Sequence, residues 1–391
     1  MTGADLLFDP IRLAADDRHA LLPAAATAGA QVRATAEQVA AFGALPRPRA
    51  LVVVGARAET TGSLVAACAT SAAAPILGVP RLPGWIGPLD VVVVLAAASD
   101  DPIAAMAADT AQRRGATVVV RGAATGPVAA AAPAGLIVPA IGAPEALAES
   151  GRCTVVAAVA AAVGLLPAPD WAAAADLLDA IALACHPQSE AFVNPALALA
   201  AAMSTGVPLL VGADPVADAV TRHAETVLAE VAGWPAGRIT SATAMANPVA
   251  LRRAAATRDL FADPDDSPRI QPVLVSAPEL ASGDFDVPVG RALRQALPGA
   301  FIVSTDDLGS DAQRSMAEPG TATPAVADPL ACVLGLVSRF DFAATYLALS
   351  LGSLPLYDGP DGLARRGSAR TGVRAAVVDP TPSRDPDDDW R

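Results

Sequence analysis

Two short stretches in the first third of the chain carry residues able to hold an anion. The first is Gly55-Ala-Arg57-Ala-Glu59-Thr60-Thr61-Gly62-Ser63, which follows the apolar run Leu51-Val-Val-Val54. The second is Ser99-Asp100-Asp101-Pro102, just beyond Asp90-Val-Val-Val-Val-Leu95. Gly55, Thr61 and Ser63 can present donors, and Arg57 can meet a phosphate. The competing reading of this stretch is a plain strand-to-helix turn capped by Thr60 or Thr61. At Ser99 capping is the stronger reading, because Asp100 and Asp101 complement a helix N-terminus without any ligand. Two adjacent carboxylates would also repel a phosphate by about a kcal/mol or more at contact.

The elements that must position these loops are short β-branched runs separated by helix-length segments. Leu51–Gly55, Asp90–Leu95 and Ala116–Val120 read as parallel strands buried on both faces. In such sheets ligands sit at the carboxyl ends of the strands, where helix N-termini offer free N–H groups. Gly135–Pro139 reads as a fourth, short strand, followed by a long helix over roughly Pro144 to Leu165.

Before this sheet, Asp9 to Phe42 reads as helical and interrupted at Pro23. After it, Asp170 caps a helix to Ala184, and Asn194-Pro195 opens another. The pattern then restarts. Val207–Gly212 is a strand, and Asp214-Pro215 opens a helix to Ala232. Arg238–Ser241, Ile270–Ser276 and Ala300–Ser304 are later strands, with helices over Pro288–Leu297 and Pro329–Leu351. Asp263–Pro268 and Ser310–Ala327 read as loops. The predicted organisation is a helical segment at 1–48, an α/β lobe at 49–169, a connector at 170–193 and a second lobe at 194–354. A tail follows at 355–391, too poor in apolar residues to order itself.

The net charge of −13 argues against a nucleic-acid partner or an anionic membrane surface. Lysine does not occur at all, so local help for an anionic small molecule must come from arginines and backbone amides. Cys68, Cys153, Cys185 and Cys332 lie far apart without metal-ligand spacing, which predicts buried free thiols and no metal site. No basic n-region opens the chain, and the apolar stretch Thr154–Leu166 is too short for a bilayer. A cytoplasmic protein with neither membrane nor nucleic-acid contact is expected. No G-x-G-x-x-G follows Val54, so a dinucleotide cofactor is not expected.

Several stretches, in order, resemble the bifunctional phosphoglucose/phosphomannose isomerases, whose fold is a pair of sugar-isomerase (SIS) domains. They are Leu51–Gly55, Pro75-Ile-Leu-Gly-Val-Pro80, Val91–Leu95, Arg113-Arg-Gly-Ala116, Ile137–Pro139, Asn194–Ala200 and Asp341-Phe-Ala-Ala-Thr-Tyr-Leu-Ala348. The resemblance implies an α/β fold of two SIS subdomains, each a parallel sheet flanked by helices in three layers. It also implies a sugar-phosphate ligand, no cofactor and a homodimer.

The chemistry implied is aldose–ketose exchange through an enediol, in which a base carries a proton between neighbouring carbons and cations or N–H groups hold the oxyanion. Leu228-Ala-Glu230-Val-Ala-Gly-Trp-Pro-Ala236 resembles the segment bearing the family's base, which falls on Glu230. The competing reading is a solvent-facing helical glutamate. Other positions depart from the family. Its arginine after the fourth strand falls at Glu145, leaving Arg152 as a substitute two turns on, roughly 10 Å away. Its histidine motif becomes Ala246-Asn247-Pro248, which keeps Asn247 as a ligand candidate. No histidine follows His223, so the family's ring-opening histidine is missing; His223, two turns before Glu230, is a second catalytic candidate, with helix packing as its plainer role. The expectation is a phosphosugar-binding protein with weak or lost isomerase activity. The alternative is a non-catalytic phosphosugar- or partner-binding protein. Either ligand-binding reading needs Gly55, Ser99 and Glu230 to border one cleft.

Overall fold

The computed structural model describes residues 7, 9–40, 42–43, 45–246, 249, 251, 270–280, 286–308 and 328–352. Contacts group the chain into Met1–Leu354 and Pro355–Arg391. The tail, the loops at 263–268 and 310–327, and Asn247 lie outside the described residues.

A repeated local signal opens the helices. In five of them an Asp or Asn cap is followed at once by proline: α1 (Pro10–Ala15), α5 (Pro102–Arg113), α9 (Pro195–Ser204), α10 (Pro215–Val227) and α13 (Pro329–Ser350). The cap oxygen accepts from orphan N–H groups of the first turn, and proline fills a position whose own N–H would be unpaired. Asp170 caps α8 (Trp171–Ala184) without a following proline, by accepting from Ala173 N.

The first lobe is a five-stranded parallel sheet of β1 (Ala50–Gly55), β2 (Ile76–Val79), β3 (Asp90–Leu95), β4 (Thr117–Gly122) and β5 (Leu136–Pro139). Its order is β2-β1-β3-β4-β5. Val52, Val92 and Val118 stand side by side in register. With Val54, Val94 and Val120 they pack one face against Ala104, Ala107, Ala108 and Ala111 of α5. The sequence reading gave this sheet four strands. Ile76–Val79 is the fifth, an edge strand hidden by Pro75, Gly78 and Pro80, residues that edges tolerate. Gly78 also lets α4 (Ala58–Cys68) approach: a Cβ on Gly62 would lie 2.6 Å from Gly78 Cα.

Two helical expectations are corrected. Pro23 does not interrupt the leader; it sits inside α2 (Leu21–Ala25), where a first-turn proline loses no bond. The breaks fall on either side, at left-handed Ala20 (φ 52°) and before α3 (Ala28–Val39). The helix expected over 144–165 begins as a 3-10 turn, Glu145–Leu147, and continues as α7 (Glu149–Ala162).

The second lobe repeats the first in a four-stranded parallel sheet, order β7-β6-β8-β9 among the described residues. Its strands are β6 (Val207–Gly212), β7 (Gly237–Ile239), β8 (Ile270–Ser276) and β9 (Phe301–Ser304). Helix α10 follows β6 as α4 follows β1, and ends in a π turn, Leu228–Ala232. Ser241, expected in the β7 strand, instead starts a short helix over Ser241–Ala246. The two-sheet α/β architecture agrees with expectation.

Helix α13 is the longest apolar segment described, longer than the Thr154–Leu166 stretch singled out in the sequence. Its 22 residues include an 18-residue window of mean hydropathy 1.4, long and apolar enough to cross a bilayer. Here every residue of its apolar window is buried inside the protein, packed among α2, α8, α9 and α10.

Candidate functional site

Helix α4 departs from the Asx-Pro pattern, and the site begins there. Gly55 ends β1 at φ 109°, where an added Cβ would lie 2.2 Å from Leu95 O. Ala56 N then donates to Leu95 O (2.8 Å), and Arg57 takes a left-handed conformation (φ 54°) at the cap position. No side chain caps α4. Thr60 and Thr61 therefore do not play the capping role the sequence allowed. Ser63 turns its hydroxyl to Thr60 O (2.8 Å) within the helix.

Thr61 donates instead to Glu149 Oε1. Glu149, at the start of α7, is wholly buried and is the hub of the arrangement. Arg152 gives its Oε2 two bonds, from Nε (3.0 Å) and Nη2 (2.9 Å), and Cys153 Sγ donates to Oε1 at 3.8 Å. Burial alone would push the Glu149 carboxyl up. Arg152, then His223 and Arg57, with the Thr61 bond, outweigh it and hold the carboxyl at about 2. Arg152 also bonds the Glu145 carboxylate and Glu145 O (2.9 Å), so its guanidinium is committed within the fold.

Arg57 and Glu230 meet across the lobes as an ion pair. The π turn that ends α10 carries Glu230 and closes at left-handed Gly233 (φ 61°). Arg57 Nη1 also stands 3.7 Å from Glu149 Oε2 and is buried without a hydrogen-bond partner. His223 makes its described contact with α13. Its Nε2 lies 2.7 Å from Asp341 Oδ1 of α13, and its buried Nδ1 has no partner.

Ser99 stands exposed, and Asp101 rather than Ser99 caps α5, accepting from Ile103 N (3.0 Å) and Ala104 N (3.1 Å). No described bond ties Ser99 to the Arg57–Glu149–Glu230 cluster; of the three residues expected to border one cleft, Glu230 has a described side-chain contact there, with Arg57.

Three participants were given no role in the sequence reading: Glu149, Asp341 and Arg121. Arg121, near the end of β4, is buried, and its Nη1 has no partner. Burial and then the Arg152 charge lower its pKa to about 10, opposed by Glu145 and Glu149. A usable signal for Glu149 existed. Glu149 and Arg152 stand at i,i+3 at the head of a helix apolar on every face, so they must be buried together. Among the described residues no group of three or more His, Cys, Asp or Glu side chains could hold a metal ion.

No protein-family profile matches this sequence, and no curated protein does. Solved structures share the fold over most of its length. A candidate phosphosugar isomerase of Salmonella typhimurium is 15% identical with a TM-score of 0.53, over 83% of this chain and 92% of that one. A second, from Bacillus subtilis, is 13% identical with a TM-score of 0.54, over 83% and 94%. The C-terminal domain of the glucosamine-fructose-6-phosphate aminotransferase of Francisella tularensis is 9% identical with a TM-score of 0.53, over 86% and 97%. At such identities the similarity is one of fold.

Proposed function

We propose that this chain is an SIS-type protein that binds a sugar phosphate at the junction of its two lobes and isomerises it weakly or not at all. The observation that carries the reading is the Arg57–Glu230 pair, a buried guanidinium and a partly exposed carboxylate contributed by opposite lobes at the end of β1. A guanidinium at the head of an uncapped helix is suited to a phosphate, for which it offers paired N–H donors.

The chemistry of turnover is poorly supplied. Arg152 is engaged by Glu145 and Glu149 and cannot hold an enediolate. His223, fully buried against Asp341, cannot reach a sugar ring oxygen. Glu230 itself is engaged with Arg57 rather than free to take a proton.

The test is a panel of glucose, mannose and fructose 6-phosphates, read by thermal shift and by a coupled isomerase assay. A raised melting temperature with little or no turnover is expected, since a ligand that binds only the folded state stabilises it. No shift with any phosphosugar would reject the reading in favour of a partner-binding role. The partial exposure of Glu230 keeps a second reading open, that of a working isomerase with Glu230 as base. Turnover abolished by Glu230→Gln would establish it. We also propose a homodimer, to be measured by light scattering.

A further inference from the structure

The Arg57–Glu230 pair is asymmetric. The Arg57 side chain is 7% exposed and that of Glu230 47%, so the cation lies inside the fold and the carboxylate faces solvent. The Arg57 backbone is fixed independently of Glu230. Its left-handed conformation is one that a non-glycine residue keeps only when the surrounding fold imposes it.

Glu149, the other carboxylate nearby, already accepts from Arg152, Thr61 and Cys153 and lies beyond hydrogen-bond reach of Arg57 Nη1. The carboxylate in direct contact with Arg57 is therefore Glu230. Its own support is a π turn, an interruption of regular helix that recurs at functional sites. The only hydrogen bond described for the Glu230 side chain is the one to Arg57.

We infer that Glu230 is a resident anion seated on the anion-recognition residue Arg57, and that a phosphate-bearing ligand enters by displacing it. The inference rests on the sugar-phosphate reading above and gives Glu230 a role opposite to that of a base: it competes with the ligand. A phosphate dianion carries more charge than a carboxylate and can accept two parallel guanidinium bonds, so exchange favours the ligand once it is present. The half-exposed end of the pair is worth little in water, which sets the competition at up to about fivefold in affinity.

The test is calorimetric titration of inorganic phosphate, glucose 6-phosphate, fructose 6-phosphate and unphosphorylated glucose into the full chain and into Glu230→Gln, Arg57→Gln and Arg57→Lys. Glu230→Gln should tighten all three phosphate probes by up to about fivefold and leave glucose unchanged. Arg57→Gln should abolish phosphate binding even when combined with Glu230→Gln. Arg57→Lys keeps the charge and should retain part of the binding, which separates lost recognition from lost folding. Equal or weaker phosphate binding by Glu230→Gln would overturn the exchange while the sugar-phosphate reading stands. Tightening of glucose to the same degree would overturn it as well, since that marks a steric opening rather than anion competition. No binding of any phosphate probe by either protein would reject both.

Discussion

Glu149 and Arg152 stand one turn apart on α7, neither exposed to solvent, with Arg152 Nη2 2.9 Å from Glu149 Oε2. Such a pair is costly to break from one side, because the surviving charge stays buried without its counter-ion. Arg152→Leu should therefore lower unfolding stability by about 3–5 kcal/mol. Replacing Glu149 and Arg152 together by apolar residues should cost much less than the sum of the single changes. Urea unfolding of the two single variants and the double variant measures this directly.

The same carboxylate predicts an acid limb. Its pKa is about 2 in the folded chain against an ordinary 4.5, so the unfolded state takes up the proton first as pH falls. The stabilisation is complete above about 4.5 and drains away towards 2, at up to about 1.4 kcal/mol per pH unit for one proton. The stability difference between wild type and Glu149→Gln should hold constant above pH 5.5 or so and shrink below pH 4 or so. A difference that grows on acidification would contradict the assignment.

His223 and Asp341 couple α10 to α13 through a 2.7 Å contact between buried groups. If this contact orients the lobes rather than serving catalysis, its loss should appear in stability first. A double-mutant cycle on His223→Asn and Asp341→Asn should return a coupling energy of about 1–3 kcal/mol. Phosphosugar affinity in the surviving fold should change little. A coupling near zero would mean the two side chains are neighbours without an energetic bond.

The strands β1, β3 and β4 were legible because each is a run of valines bounded by glycine or a charged residue, and runs of that kind have few other solutions. The caps Asp170 and Asn194 were legible for the same local reason. Glu230 beside Arg57 and Thr61 beside Glu149 were not, since their partners lie 173 and 88 residues away. The sequence offered Glu230 as either a base or a surface side chain, and could not show that a left-handed Arg57 would reach it across the lobes. Arg152 was offered as a substitute for the family's arginine although seven residues along a helix set it about two turns from Glu145. In the fold that spacing closes into a bond between them. The edge strand at Ile76 was missed where proline and glycine disguised it.

The loop after β3 supplies the last prediction. Here Asp101 fills the helix N–H groups that an anion would otherwise meet. Its Oδ1 accepts from Ile103 N and Ala104 N, and its Oδ2 from Ala97 N at 3.3 Å. Asp101→Ala should cost about 1 kcal/mol of stability, the ordinary value of a lost cap. Asp101→Asn keeps an acceptor oxygen and removes the charge. If a phosphate approached this loop, that change would relieve repulsion and tighten binding. If Arg57 is the anion-recognition residue, Asp101→Asn and Ser99→Ala should both leave phosphate affinity where it was. Titrating inorganic phosphate into these two variants beside Arg57→Lys decides between the loops: a change confined to the Asp101 and Ser99 variants would move the site to the end of β3.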